Sequence, residues 1–238
     1  MRLNKFISDT GACSRREADR LIAEGRVQVN GVRARVGAEV GEGDTVLVDG
    51  ETLKARTAAG PGKRRHVYIA LNKPVGITCT TEAGLKDNIV EFIGHEQRIF
   101  PIGRLDKDSE GLILLTSNGD IVNEILRSEN NHEKEYLVAV NKPVTDAFLA
   151  GMARGVRIHG QLTKPCRTRK IAKFGFAIVL TQGLNRQIRL MAAEFGYRVT
   201  QLRRVRIINV KLGHLKPGQW RNLTEAELKG LLPERTRW

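Results

Sequence analysis

Residues 99–116, IFPIGRLDKDSEGLILLT, contain the pattern that decides the fold of most of this chain. The stretch begins and ends in apolar runs, at 99–102 and 112–115, which are typical of short buried β-strands. Between them lies a charged loop that opens with GRLD at 103–106. Loops held between rigid strands often carry binding or catalytic side chains. The pattern therefore predicts a strand–loop–strand unit that presents charged residues at its turn, and it leaves the chemistry open.

The charge of the chain indicates a polyanionic partner. Its 238 residues include 40 Lys and Arg against 26 Asp and Glu, which gives a formal net charge of +14. Residues 164–211 hold twelve of the basic residues and a single acid, Glu194. Because an ordinary solvated surface mixes its signs, this acid-poor segment favours a nucleic-acid partner. The 5% aromatic content disfavours a surface that binds single strands by stacking.

Several classes of protein are disfavoured by what the sequence lacks. There is no GxxxxGK[ST] motif for NTP hydrolysis, and no HExxH motif or cysteine pair for zinc, so we expect no metal. No stretch is apolar enough to span a membrane, and the first residues become charged too early for a signal peptide. We therefore expect a cytoplasmic protein with reduced cysteines and no membrane partner.

The first 55 residues predict a compact domain of two helices and a few strands. Ser14 and Glu17 have the spacing of a capping box at the start of the second helix. Asn30-Gly31, between two alternating segments, is a strong hairpin signal. Residues 56–65 have no periodicity, so we predict a domain at 1–55, a linker at 56–65 and a larger domain at 66–238.

The larger domain is predicted to be α+β, with a mostly antiparallel mixed sheet flanked by helices. Short strand-like segments dominate it and alternate irregularly with few helices, which argues against a doubly wound parallel sheet. We expect a strand to continue through 77–81 after the NKPVG turn. Two separate strands are expected at 199–202 and 207–212 near the end of the sheet.

Four segments of the N-terminal part resemble, in order, the S4 (α-L) RNA-binding domain: RLNKFIS at 2–8, SRREADRLI at 14–22, GRVQVNG at 25–31 and DTVLVDG at 44–50. The resemblance implies a domain that anchors folded RNA. Its RNA-facing residues would be the basic ones of the first two helices, which are Arg2, Lys5, Arg15, Arg16 and Arg20.

Three motifs of the larger domain resemble those of the bacterial pseudouridine synthases of the RsuA/RluF group: GRLDKDSEGL at 103–112, KEY at 134–136 and GLNRQIR at 183–189. The resemblance covers almost the whole chain, and its details look most similar to the RluF-type enzymes that act on large-subunit rRNA. One departure is visible, because Leu190 stands where the family usually has a second arginine.

The resemblance implies a catalytic set of Asp106, Tyr136 and Arg189. Asp106 would act at the ribose or the uracil of the target uridine, either as a nucleophile or in proton transfer. Tyr136 would stack on the flipped base or transfer a proton, and Arg189 would pair with Asp106. Each residue also has a simpler interpretation: a turn-capping aspartate, a core tyrosine and a phosphate-binding arginine. The isomerisation involves no redox change, so no cofactor is expected.

The resemblance also implies a set of RNA contacts in the larger domain. Arg104 would fill the space left by the extruded base or hold a phosphate, and Ile188 would form an apolar wall against the base. The remaining candidates would position the RNA backbone or line the same motif, and they are Asn185, Arg186, Gln187, Arg203, Arg204 and Arg206.

The sequence thus predicts a monomeric enzyme that converts uridine to pseudouridine in structured RNA, with 23S rRNA as the expected partner and a tRNA anticodon stem as a second candidate. A non-catalytic RNA-binding or ribosome-assembly factor is the main alternative, because charge and the N-terminal domain fit it equally well. A DNA-binding regulator is a weaker third. Only Asp106, Tyr136 and Arg189 together favour the enzyme.

Overall fold

The computed structural model describes residues 1–53, 66–82, 84–85, 87–126 and 131–232. The chain divides into two compact units, Met1–Arg65 and His66–Trp238. The predicted linker at 56–65 lies outside the described residues. Within the described residues, no helix combines the length and the apolar character needed to cross a membrane.

The N-terminal unit packs two helices, α1 (Leu3–Asp9) and α2 (Arg15–Ala23), with a small antiparallel sheet. The strands of this sheet run in the order β2-β1-β3-β4 and are β1 (Val27–Val29), β2 (Val32–Arg33), β3 (Val46–Val48) and β4 (Glu51–Leu53). The predicted hairpin is confirmed, since Asn30 and Gly31 both have positive φ, at 51° and 79°. The hydroxyl of Ser14 accepts the Glu17 N–H at 3.1 Å, as predicted, but the Glu17 carboxylate binds Arg20 instead of completing the capping box.

The C-terminal unit is built on a nine-stranded mixed sheet. Its main path runs β11-β12-β8-β13-β7-β5-β15, with β14 paired to β13 and β6 paired to β7. The strands of this unit, including the separate hairpin β9–β10, are β5 (Tyr68–Lys73), β6 (Phe100–Ile102), β7 (Glu110–Thr116), β8 (Lys134–Val140), β9 (Arg157–Ile158), β10 (Gln161–Leu162), β11 (Arg167–Ala172), β12 (Gly175–Leu180), β13 (Val199–Ile207), β14 (Val210–Lys211) and β15 (Trp220–Asn222). Within it β7 and β13 pair in parallel and the other described pairs are antiparallel. The predicted α+β fold with a mostly antiparallel sheet is confirmed.

Helices pack on both faces of this sheet. They are α3 (Ile89–Ile93), α4 (Val122–Leu126), α5 (Asp146–Arg154), α6 (Gln187–Glu194) and α7 (Glu225–Leu231). Strand β7 is buried on both faces, because Ile113 and Leu115 join one core cluster while Leu112 and Leu114 join the other. This double burial explains the uninterrupted apolar run at 112–115.

Two strand predictions were wrong. Residues 77–81 form no strand; Thr78 makes only an isolated bridge to Asn88, and the segment runs along a cleft. Residues 199–207 form one continuous strand, β13, and a turn with Ile208 at φ 52° leads into β14. The basic residues that interrupt the apolar pattern of β13 are accommodated inside the sheet by backbone and carboxylate partners, which the one-dimensional pattern does not reveal.

Candidate active site

Asp106 lies in the loop between β6 and β7, which pair as an antiparallel hairpin from Phe100↔Thr116 to Ile102↔Leu114. The loop is anchored on both sides of the aspartate. Before it, the buried Leu105 donates its N–H to the Cys79 sulfur at 3.3 Å, and after it, the Ser109 N–H donates to the Asp106 carbonyl at 3.0 Å. The side chain of Asp106 remains 27% exposed, so a fixed backbone presents a reachable carboxylate.

An open cleft of about 730 Å³ lies at this loop. Arg104, Asp106, Asp108 and Arg186 contribute to its lining, and the opposite side comes from the segment between Val75 and Leu85. Three residues predicted from the sequence, Arg104, Asp106 and Arg186, therefore meet at one site. The described lining does not include Tyr136, Ile188 or Arg189.

The cation beside Asp106 is Arg186, with its Nη1 3.9 Å from Asp106 Oδ2 and 3.5 Å from Asp108 Oδ1. Arg186 directly precedes α6 and has a left-handed backbone with φ 51°. The predicted Arg189–Asp106 pair is wrong in this structure. Arg189 donates from Nη2 to the Asp108 carbonyl at 3.0 Å and to Ser109 Oγ at 3.2 Å, and the same nitrogen lies 3.4 Å from Asp108 Oδ2. Arg189 therefore holds the loop through Asp108 and Ser109 rather than through the Asp106 carboxylate.

Several residues of the GLNRQIR motif make contacts inside the fold rather than with the cleft. Gln187 is 3% exposed, and its Oε1 accepts the Leu184 N–H at 3.0 Å. The prediction that Gln187 contacts RNA is therefore wrong, because its polar atoms are engaged inside the fold. Ile188 is buried in the same core cluster as Tyr136, and Leu190, at the position of the missing family arginine, packs against that cluster. Asn185 is exposed and remains a predicted contact.

Tyr136 on β8 is buried and lies opposite Arg204 on β13. On its other side β13 pairs with β7, where Arg204 lies opposite Gly111. Arg204 is only 4% exposed, so its predicted contact with the RNA backbone is wrong. Its Nε donates to the Leu112 carbonyl at 2.6 Å and its Nη1 to the Arg104 carbonyl at 3.4 Å, and its guanidinium lies 6.0 Å from the centre of the Tyr136 ring.

The neighbouring arginines of β13 differ from Arg204. Arg206 donates from Nε to Glu135 and from Nη2 to Glu133, both at 3.0 Å. Burial opposes its charge, but these carboxylates outweigh the burial and raise the pKa of Arg206. A third donor, Nη1, binds the Ile208 carbonyl at 2.8 Å, and the contact of Arg206 with RNA stays a prediction. Arg203 is half-buried and remains a predicted contact.

Two lysines near the site, the buried Lys73 and the half-buried Lys134, were missed by the sequence analysis. Lys73, at the end of β5, is fully buried and donates to the carbonyls of Pro74 at 2.9 Å and Ile77 at 2.8 Å. Burial lowers the pKa of Lys73, against the attraction of Cys79 and Asp106. Lys134, two residues before Tyr136, has its pKa lowered to about 8 by burial and by the charge of Arg204. The signal available for Lys73 was its place near the end of a strand-like segment that begins with the apolar run YIAL at 68–71.

Metal binding finds no support in the described part of the chain, where no group of three or more His, Cys, Asp or Glu side chains is placed to hold an ion. What the cleft does offer is three carboxylates, of Asp106, Asp108 and Glu82, and three cations, of Arg104, Lys107 and Arg186. Such a site is suited to covalent or proton-transfer chemistry on an anionic substrate.

The predicted RNA-facing residues of the N-terminal unit fall into two groups. Arg2, Arg15 and Arg16 are exposed, and Arg15 and Arg16 form no ion pair within residues 1–53. Lys5 instead pairs with Asp9 at 2.6 Å, and Arg20 pairs with Glu17 along α2. The exposed group therefore offers free charge to a polyanion, while the other group is partly neutralised.

Comparison with known proteins identifies both units. Residues 67–194 match the RNA pseudouridylate synthase family, and residues 1–46 match the S4 domain. The dual-specificity RNA pseudouridine synthase RluF of Salmonella typhi is 58% identical over 227 residues, covering 95% of this chain and 77% of that protein. Ribosomal large subunit pseudouridine synthase B of Bacillus subtilis is 34% identical over 97% of this chain and 95% of its own length. A crystal structure of a pseudouridylate synthase superposes with a TM-score of 0.68 at 29% identity, covering 97% of this chain and 99% of the other.

Proposed function

The chain belongs to the RNA pseudouridylate synthase family and isomerises uridine to pseudouridine in RNA, and we propose that Asp106 is the carboxylate that carries out this reaction. The family assignment excludes the alternative of a non-catalytic RNA-binding factor. The observation that carries the proposal for Asp106 is its position: a carboxylate on a doubly anchored loop, exposed to a cleft that arginines line.

The isomerisation breaks the bond between uracil N1 and ribose C1′ and forms a bond between uracil C5 and C1′. The C5 proton is lost and N1 gains a proton, so the overall composition does not change. A carboxylate at the ribose or the base serves as a nucleophile or in proton transfer, as it does in glycoside hydrolysis. Because the target uracil must leave its stack to reach such a residue, the enzyme is proposed to flip the base into the cleft.

The other residues of the cleft are proposed to bind RNA and to support Asp106. Arg104 and Arg186 present guanidinium groups to the cleft and fit phosphate oxygens or the space left by the flipped base. Arg189 is proposed to position the catalytic loop through its bonds to Asp108 and Ser109. Tyr136 remains the candidate for contact with the base or for proton transfer, supported by the KEY motif.

The test of the catalytic assignment is tritium release from RNA labelled at uridine C5. Asp106→Asn is expected to lower the single-turnover rate at saturating RNA by at least about 1000-fold, since the group that acts on the substrate is removed. Asp108→Asn is the matched control on the same loop. It is expected to lose roughly tenfold, because it only weakens the hold of Arg186 and Arg189 on the loop. The reverse ranking would assign the reaction to Asp108.

We propose large-subunit rRNA as the substrate, with a second RNA such as a tRNA anticodon stem. The support is similarity: one relative is named a large-subunit synthase and another a dual-specificity enzyme. Mapping pseudouridines by carbodiimide modification in a deletion strain tests this. A 23S site and a tRNA site should both disappear, and wild type but not Asp106→Asn should restore them. A complete set of pseudouridines in both RNAs would contradict the substrate proposal without affecting the in vitro test.

The enzyme is further proposed to act as a monomer in the cytoplasm, where its proposed substrates, ribosomal and transfer RNA, are found. Light scattering with and without RNA tests the oligomeric state, and a mass of two chains at micromolar concentration would contradict it.

A further inference from the structure

Strand β13 joins the two halves of the candidate active site. One of its edges pairs with β8, which carries Tyr136, and the other pairs in parallel with β7, which begins just after the loop of Asp106. Arg204 is the β13 residue opposite both Tyr136 and Gly111. A side chain at this position is therefore adjacent to both catalytic candidates through the sheet itself.

The guanidinium of Arg204 binds the backbone on both sides of the Asp106 loop. It donates to the carbonyl of Arg104, two residues before the aspartate, at 3.4 Å, and to the carbonyl of Leu112, on β7 after the loop, at 2.6 Å. The same group lies 6.0 Å from the centre of the Tyr136 ring, within the range of a cation–π contact. One planar side chain thus links both ends of the loop to the tyrosine.

This arrangement is costly to build if its only role is stability. Arg204 is almost fully buried, its hydrogen-bond acceptors are neutral carbonyls, and it forms no ion pair with the described carboxylates. Its Nη2 is buried without a hydrogen-bond partner in the described structure. Replacing a buried charge by a well-packed apolar side chain is often neutral or stabilising, so a contribution to stability does not by itself account for an arginine at this position. The Arg204 charge also disfavours the charged form of Lys134: together with burial, it lowers the pKa of Lys134 to about 8.

We propose that Arg204 is a positioning residue of the isomerisation, whose fork fixes the Asp106 loop relative to Tyr136 without touching the RNA. The proposal rests on the proposed role of Asp106. It differs from a phosphate contact, which would act on RNA affinity, and from a packing role, which would act on folding alone. Displacing a reacting group by about 1 Å can cost on the order of 100-fold in rate, so the effect should be seen in the chemical step.

The test compares Arg204→Lys with wild type in single-turnover tritium release, at saturating RNA, together with the Kd for RNA and the thermal midpoint. Lysine keeps the charge, but one ammonium cannot reach both carbonyls. The saturated rate is expected to fall by about 100-fold while the Kd changes by less than twofold. Arg204→Met is the second variant, because it fills a similar volume without a buried charge and is expected to fold even where lysine does not.

The control is Arg221→Lys in the same unit, where the arginine holds Glu227 through bonds of 2.7 and 2.6 Å. The Arg221→Lys variant loses a bidentate arginine contact, as Arg204→Lys does. It is expected to have a lower thermal midpoint and an unchanged single-turnover rate. A Tyr136→Leu background gives a further readout: Arg204→Lys should cost much less there than in wild type, because the two residues act together.

Three outcomes would overturn the proposal. A tenfold weaker Kd with an unchanged saturated rate would make Arg204 an RNA contact. Unchanged rate and Kd in both folded variants would leave it a packing residue, and fully multiplicative losses with Tyr136→Leu would remove the link to the tyrosine. Failure of the proposed role of Asp106 is recognised separately, as normal tritium release by Asp106→Asn.

Discussion

At the scale of single residues, Lys134 shows how the site makes stability depend on pH. It begins β8, its ammonium donates to the His132 carbonyl at 3.3 Å, and burial with the charge of Arg204 lowers its pKa from 10.5 to about 8. A lysine with a lowered pKa in the folded state destabilises the protein while it is charged. That penalty is complete below about pH 8 and disappears as the pH rises toward 10.5, where the unfolded chain also loses the proton.

We therefore predict that Lys134→Met stabilises the C-terminal unit most near neutral pH. The gain should amount to at most about 3 kcal/mol, since each pKa unit corresponds to ~1.4 kcal/mol, and it should shrink as the pH rises from 8 toward 10. Urea unfolding of the two proteins across this range measures the difference, in which the titrations of other groups cancel. Curves that stay parallel over the whole range would mean that Lys134 titrates normally in the folded protein.

The same scale shows what could be predicted about the site. The motifs placed Asp106, Arg104 and Arg186 at one cleft, because strand–loop–strand geometry and motif spacing are local. They did not show that Arg189 would hold the backbone of the loop, or that the donors of Arg204 would be used inside the sheet. Which partner an arginine takes depends on strand register, and register is set by residues that lie far away in the sequence.

At the scale of elements, the parallel contact between β7 and β13 depends on Gly111. A Cβ atom there would lie 2.3 Å from the Arg204 carbonyl oxygen and 2.7 Å from the Arg204 nitrogen, and the backbone has φ +104°. No side chain fits between the two strands without moving them.

Gly111→Ala is therefore predicted to lower the free energy of unfolding by about 3 kcal/mol, combining backbone strain with overpacking. The matched control is Gly160→Ala in the turn between β9 and β10, where φ is +74° but a Cβ atom would meet open space. It should cost about 1 kcal/mol, from backbone strain alone. Chemical denaturation measures both, and equal losses would show that the strand contact can relax.

Local signals predicted many elements well. The hydroxyl of Ser14 accepts the N–H three residues ahead and starts α2, as predicted, and the hydroxyls of Thr145 and Thr224 start α5 and α7 in the same way. Predictions failed where tertiary structure decides. Residues 77–81 have strand-like composition, but the backbone of Thr78 bonds to Asp87 and Ile89 along the cleft instead of to a neighbouring strand. The arginines of β13 broke the apolar pattern although the strand is central.

At the scale of the whole molecule, the charge of the chain separates binding from chemistry. The N-terminal unit carries exposed arginines on α2, and the C-terminal unit carries Asp106 in its cleft. Each arginine that neutralises a phosphate releases condensed counterions, which makes RNA affinity depend on salt. An arginine that is already paired with a carboxylate of its own unit contributes less to phosphate neutralisation, so its binding releases fewer counterions. Free and paired arginines of one unit should therefore differ in their effect on the salt dependence of binding.

We predict that Arg15→Ala weakens RNA binding and reduces the slope of log Kd against log salt by about 1, with the saturated single-turnover rate unchanged. Arg26→Ala is the matched control: it removes the same charge from the same unit, but Arg26 is held by Asp49 through bonds of 2.7 and 2.6 Å. Its slope should change by clearly less than 1. Filter binding over a range of salt concentrations, with single-turnover tritium release on the same proteins, measures both quantities. Equal slopes for the two variants would show that net charge acts rather than a local contact at α2, and a large loss of saturated rate in Arg15→Ala would show that the N-terminal unit also takes part in the chemical step.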